Sequence, residues 1–293
     1  MVEKSDTQPL RVVITTGDEP IVVNRFVEEV IARNPQRIVG MAVVGSVAPM
    51  PTVTRKGKKN KNTGGLQRFL RFPVRLWGLA KNILVVVLIF GVAETTRQVL
   101  RMIRFSAGLM LNRLSRRFPS QSIFAIGKRR NIQTWRATHV NDPTLAKRIA
   151  ELKPDIIINQ APGILREEFL NLPRLGVLNR HHSLLPKNRG RFSTFWALFK
   201  GDKEAGISIH FVVKALDAGP IVLQKVIPLD ESETVGSLAH KAYDLAPIAM
   251  TEALDLIESG TYQLLENSDE QASYNTNPTL SQAFSYRWSR LRK

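Results

Sequence analysis

The chain alternates short apolar runs with stretches that are apolar on one side only. Arg11-Val12-Val13-Ile14-Thr15-Thr16 is continuous enough to predict a strand. Gly17-Asp18-Glu19-Pro20 then turns the chain into a segment with Val22, Phe26, Val27 and Val30 at helical spacing, predicting a helix from about Ile21 to Ala32. A second strand follows at Ile38–Val44. Two nearly unbroken apolar strands separated by one helix predict a parallel sheet covered on both faces. Further on, Ser122–Ile126 reads as a strand, and Asp142 and Pro143 as the cap and first turn of a helix reaching about Leu152. Pro154–Asn159 and Gly176–Asn179 read as further buried strands. The expected fold is α/β: a Rossmann-like open sheet of mostly parallel strands with helices on both faces. The loop Gln160-Ala161-Pro162-Gly163-Ile164-Leu165 leaves a strand end, where ligands of such sheets sit.

Charge changes this picture by dividing the chain. The formal net charge is +17 over 293 residues, from 42 basic and 25 acidic side chains. Between Arg55 and Arg130 there are 18 basic residues and one acid, Glu94, so 18 − 1 = +17 falls in that window. The remainder, with 24 of each sign, has the balance of an ordinary enzyme. We therefore expect an enzyme-like body, which with the predicted strands and helices is taken as residues 11–262, a basic module inserted within it at 55–118, and a C-terminal tail at 263–293.

The insert opens with a cationic loop at 55–65 and continues with Arg interleaved among Leu, Phe, Val and Met around the run Ile83–Ala93. That run is shorter than the ~20 apolar residues needed to cross a bilayer. With Phe72 and Trp77 beside it, it fits a helix lying in the headgroup plane or binding a partner. The alternative is a crossover helix buried against the sheet with Arg97, Arg101 and Arg104 on its wet face. Peripheral membrane contact is expected ahead of nucleic acid. The polar opening Met1–Leu10 lacks the pattern of a secretory signal and reads as cytoplasmic. There is no cysteine, which excludes thiol nucleophiles, disulfide frameworks and thiolate metal sites. The first turn has a single glycine and no dinucleotide or Walker pattern.

The densest chemistry lies in Asn179-Arg180-His181-His182-Ser183-Leu184-Leu185-Pro186-Lys187-Asn188-Arg189-Gly190. In an extended segment Asn179 and His181 face the same side. An amide donor beside an imidazole suits a carbonyl that develops negative charge while a proton moves. Loop polar groups of no catalytic role remain the alternative on these residues alone.

The pattern N-x-H-x-S-L-L-P over Asn179–Pro186, and Gly206-Ile207-Ser208-Ile209-His210-Phe211-Val212-Val213 leading to Asp217-Ala218-Gly219-Pro220-Ile221, resemble the two motifs of the formyltransferase family. That family includes glycinamide ribonucleotide, methionyl-tRNA and amino-sugar formyltransferases and formyltetrahydrofolate deformylase. Detailed resemblance covers about Lys153 to Tyr262. It implies that Asn179, His181 and Asp217 are the catalytic residues, with 10-formyltetrahydrofolate as co-substrate and no metal. By the same resemblance Gln160, Ile164, Leu165, Leu216 and Gly219 would line the folate pocket, core packing being the alternative for Ile164 and Leu165. Asp217-Ala218-Gly219-Pro220 would be a tight turn letting backbone approach the pterin ring. His182 stands where relatives often carry proline, and His210 is expected near the site without doing chemistry.

The resemblance implies formyl transfer to the amine of a small molecule, an amino sugar or similar, and the cationic insert suggests a lipid-linked or sugar-nucleotide amine. The alternatives are a glycinamide ribonucleotide, methionyl-tRNA, hydrolysis of the folate, or an RNA- or membrane-binding module on the same scaffold. The acidic, glycine-poor loop Thr15–Pro20 weighs against a ribonucleotide phosphate there. The 33 residues after Gly260 are too few for the barrel that methionyl-tRNA enzymes add, and are expected to form a basic end.

Overall fold

The computed structural model describes residues 8–45, 80–114 and 121–292, with side chains to residue 111 in the middle stretch. The strands are β1 (Val12–Thr16), β2 (Ile38–Val44), β3 (Thr134–Ala137), β4 (Ile156–Gln160), β5 (Gly176–His181), β6 (Arg189–Gly190), β7 (Glu204–Phe211), β8 (Ile221–Pro228) and β9 (Tyr274–Asn275). The helices are α1 (Val23–Arg33), α2 (Ala80–Phe90), α3 (Val92–Leu114), α4 (Ile123–Arg130), α5 (Pro143–Glu151), α6 (Glu167–Leu170), α7 (Ser193–Lys200), α8 (Val235–Ser259) and α9 (Leu280–Leu291).

Seven strands form one sheet in the order β3-β2-β1-β4-β5-β7-β8. The first five run parallel, and β7 and β8 close the far side antiparallel. Strand residues alternate between two cores, as a period of two requires. Val12, Ile14, Ile156, Ile158 and Ile209 pack with Phe26 and Val30 of α1, Ile126 of α4, and Leu238 and Met250 of α8. Val13, Ile157 and Val177 face the other way, onto Leu145 and Ile149 of α5 and Phe169 of α6. The run of strands reverses direction between β1 and β4, so the ends of β1, β4 and β5 frame the crevice of an open α/β sheet.

Ser122–Ile126 is not a strand. Ser122 is the N-cap of α4, its Oγ accepting from Ala125 N at 3.3 Å, and Ile123, Ile126 and Gly127 are buried at helical spacing. Five apolar-rich residues fit either period, and the cap decides for helix. The edge strand lies instead at β3. By contrast, Asp142 caps α5 through Thr144 N with Pro143 at the first turn, as expected.

The expected apolar run of the insert breaks at Gly91, which has φ +85°, into two helices bent by 119°. Val85 and Ile89 of α2 are buried neither against the sheet nor outward. They join a third cluster with Phe195 and Trp196 of α7, Val235 of α8, and Ala283 and Tyr286 of α9. Arg97, Arg101 and Arg104 of α3 are exposed. Among the described residues no single helix is long and apolar enough to cross a membrane. The cationic loop at 55–65, Phe72 and Trp77 lie outside the described residues. The basic end is ordered as α9, whose start is a reciprocal cap between Thr279 and Gln282.

Candidate active site

Asn179 and His181 project from one side of β5, and β7 pairs with both, Asn179 opposite His210 and His181 opposite Ser208. The His181 imidazole is buried, and its Nε2 lies 2.8 Å from the carbonyl oxygen of Asn188. A carbonyl only accepts, so Nε2 carries the proton and Nδ1 is the working nitrogen. Nδ1 faces Asp217 Oδ2 at 3.7 Å. That same Oδ2 accepts from Gly190 N at 2.9 Å. Asp217 itself sits at φ +50°, a left-handed conformation that Asp tolerates better than most side chains but that still requires support. Asn267 supplies it, its Nδ2 donating to the carbonyls of Asp217 at 2.9 Å and Gly219 at 2.8 Å.

The Asn179 amide is held from the neighbouring strand. Gln160, the last residue of β4, donates from Nε2 to Asn179 Oδ1 at 2.9 Å. Gln160 Oε1 in turn accepts from Arg180 Nε at 2.6 Å, and the Arg180 guanidinium lies over the Phe26 ring at 4.1 Å. With its oxygen engaged, the Asn179 NH₂ is turned the other way, without a protein acceptor among the described residues. Burial pushes Arg180 down to about 10, which leaves it charged at neutral pH. Arg180 Nη1 donates to His182 Nε2 at 3.2 Å, and burial together with that guanidinium holds His182 well below the usual histidine range. His182 packs on Tyr243 at 5.4 Å between ring centres.

His210 lies behind Asp217. Its Nδ1 donates to Phe211 O at 2.9 Å, and Nε2 is buried without a partner 4.0 Å from Asp217 Oδ1. Burial is the main reason its pKa falls to about 4, so at neutral pH it is an uncharged wall of the site.

The remaining sequence-based assignments separate. Ile164 and Leu216 are exposed, by 76% and 62%, and are free to meet a ligand. Leu165 is buried in the core beneath α5 and α6, with Leu145, Ile149 and Phe169. Gln160 spends its amide on Asn179, Arg180 and the carbonyl of Asn159, and acts through Asn179. Gly219 has its own structural reason: a Cβ there would stand 1.8 Å from Phe211 O, so the glycine lets the turn close against β7.

Sequence reasoning missed a strap from the C-terminal segment. Arg189, wholly buried, donates to Asp269 Oδ1 at 2.5 Å, Tyr274 Oη at 2.5 Å and Asn267 O at 2.8 Å. Asn188 N donates to Ser273 Oγ at 2.8 Å, and β6 pairs with β9. A Cβ on Gly190 would lie 2.3 Å from Asn275 O, so the strap needs glycine to close. Residues set apart as a tail thus hold the loop that positions His181 and Asp217. The partners lie about 80 positions apart in the chain, beyond any local pattern.

The first turn also answers a question raised by its sequence. The Glu19 carboxylate accepts from Ile21 N at 2.7 Å, Val22 N at 3.0 Å and Val23 N at 3.2 Å. The start of α1, the natural anion site at the end of β1, is filled by the chain's own carboxylate.

A free amide donor, a buried imidazole and a carboxylate meeting at the strand ends of an open sheet are the equipment of an enzyme that works on a carbonyl group. The profile of the formyl transferase family matches residues 85–254, more than half of the sequence, and the chain belongs to that family. It is 35% identical over 151 residues to the methionyl-tRNA formyltransferase of Thermotoga maritima, covering 51% of this chain and 48% of that protein. It is 38% identical over 132 residues to the Staphylococcus aureus enzyme of the same name, covering 45% and 42%. The chain thus spans about half the length of these curated relatives. Among solved structures, glycinamide ribonucleotide transformylase 1 from Symbiobacterium toebii superposes with a TM-score of 0.53 at 16% identity, covering 89% of this chain and 96% of that one. An N-formyltransferase from Helicobacter canadensis, crystallised with folinic acid and dTDP-3-aminofucose, gives 0.50 at 14% identity, covering 91% and 70%. At those identities the likeness is one of fold.

Proposed function

We propose that the protein transfers a formyl group from 10-formyltetrahydrofolate to the amine of a small-molecule acceptor, an amino sugar or a compound like it. The observation that carries this reading is the Gln160-locked Asn179 amide beside the His181–Asp217 pair. The folate supplies the formyl carbon. Asn179 Nδ2 donates to the formyl oxygen as negative charge develops there, already aimed because its own oxygen is tied to Gln160. His181 Nδ1, turned towards Asp217 by the contact of Nε2 with the Asn188 carbonyl, faces the same reacting carbon. Asp217 Oδ1, the oxygen not bonded to Gly190 N, accepts the proton released by the attacking amine, and a proton is returned to the folate nitrogen as its bond to the formyl carbon breaks, giving the N-formyl product and tetrahydrofolate. Ile164 and Leu216 offer apolar contact to the flat part of the folate.

Glu19 favours an acceptor without phosphate at the end of β1, since a second anion there would meet the first. The identity to methionyl-tRNA formyltransferases supports a second reading, with charged tRNA as acceptor. Full-length protein supplied with 10-formyltetrahydrofolate and a panel of amines, methionyl-tRNA included, tests both. Tetrahydrofolate should appear in equal amount to an N-formyl product identified by mass. Formate release at an equal rate without amine would mark a hydrolase instead. Unchanged formyl release by Asp217→Asn would overturn the chemistry altogether.

A further inference from the structure

Helix α3 leans on the body along one edge and turns an apolar edge outward. Glu94 is buried at its first turn, pairing with Arg97 and with His240 Nε2, the latter at 3.2 Å. Phe105 and Gly108, on the same side, line a cavity of about 580 Å³ with Ile21, Asn24 and Tyr243. Away from the body, Val92, Val99, Leu100, Ile103 and Met110 are exposed, Ile103 by 57% and Met110 by 65%. Positions 92, 99, 103 and 110 are separated by seven, four and seven residues, which on a helix puts them in one stripe. At ~1.5 Å per residue the stripe is roughly 30 Å long. Arg97, Arg101 and Arg104, also exposed and at spacings of four and three, form a row on the polar side of the helix, roughly 120–180° around from the stripe at ~100° per residue.

Glu94, the one acid of α3, is buried and pairs with Arg97, which leaves Arg101 and Arg104 as the row's uncompensated charges among the described residues, and the preceding sequence from Arg55 to Arg75 adds eight basic residues and none of opposite sign. The complement of such a helix is a surface that is anionic above and apolar just beneath, which is the profile of a bilayer interface. A crossing is not the geometry: α3 alone is not apolar enough to span, and the bend at Gly91 sends Val85 and Ile89 of α2 back into the protein.

We propose that α3 docks the protein on an anionic lipid bilayer, its outward stripe lying among the upper acyl chains and Arg97, Arg101 and Arg104 on lipid phosphates. Docking this way sets the rim of the neighbouring cavity, to which Arg101 and Arg104 contribute, at the level of the headgroups. The surface stands independently of the acceptor's identity.

Flotation of the full-length protein with phosphatidylcholine vesicles, with and without phosphatidylglycerol, tests this. The protein should float with the anionic vesicles, less so as salt rises, and stay behind with the neutral ones. Ile103→Glu with Met110→Glu should weaken vesicle binding at least about tenfold, with unchanged melting temperature and unchanged formyl release in solution, because both side chains point away from the body. Replacing Arg97, Arg101 and Arg104 by Gln should cost about a hundredfold at low salt. Equal flotation of the Glu variant and the parent overturns the proposal. So does the absence of vesicle binding, and if the Glu variant then sediments as a monomer where the parent is a dimer, the stripe is a contact between copies of this chain.

Discussion

The Asn188–Gly190 loop and the outer edge of α3 differ in what fixes their side chains. In the loop, Asn188, Arg189 and Gly190 are tied to Ser273, Asp269, Tyr274, Asn267 and Asp217, each through a specific polar atom. Along α3, Val99, Leu100 and Ile103 face outward and only the helical repeat sets their positions. A site built from pairs is damaged by removing one partner, because the other is left buried and unmatched. A surface built from a repeat tolerates single changes and yields only when its character is altered along its length. The two regions therefore respond to mutation on different scales.

The largest effect is expected in the paired region. Asn179→Ala should lower kcat about a thousandfold by removing the donor proposed for the formyl oxygen, read from tetrahydrofolate production. Arg189→Met should cost about 3 kcal/mol in urea or thermal unfolding, since it removes at once the several part-buried hydrogen bonds of a buried guanidinium, and should loosen Asp217 as well.

Acid should act through His210. Its pKa is about 4 in the folded protein against 6.5 when unfolded, so between those values the unfolded chain binds a proton that the native chain refuses. Stability is therefore whole above about pH 6.5 and falls as pH drops towards 4, by on the order of 3 kcal/mol. His210→Gln should flatten that part of the curve, and an unaltered slope would show that other groups set it.

Gln160→Ala should reduce kcat about tenfold with little change in KM, because it frees the Asn179 amide to rotate without removing it. A rise in KM alone would show that Gln160 binds substrate and does not position Asn179. The smallest effect separates the two regions most directly. Val99→Ser on the outward edge should change stability by less than about 0.5 kcal/mol, whereas Ile89→Ala, buried in the third cluster, should cost 2–4 kcal/mol, each roughly as seen for surface and core positions in general.

Much of the candidate site was legible because its signal is local. Asn179 and His181 are two apart on one strand, and the D-x-G turn carries Asp217 in a recognisable run. The strap was not legible, since Arg189 and Asn267 look like loop residues until β6 and β9 are paired. Nor was the role of Gln160, whose partner lies on the neighbouring strand, or the burial of Leu165, which depends on α5 and α6 covering that face of the sheet.

The sequence by itself determined the two-sided sheet, the Asn179, His181 and Asp217 set, and the confinement of charge to one stretch, because hydrophobic period, motif spacing and net charge are properties of the chain read in order. Only the tertiary structure decided that Ser122 starts a helix, that Glu19 fills the anion site of α1, and that the C-terminal segment braces the site. Each of those depends on atoms meeting across space, and a hydrogen bond between residues eighty positions apart leaves no trace in either neighbourhood.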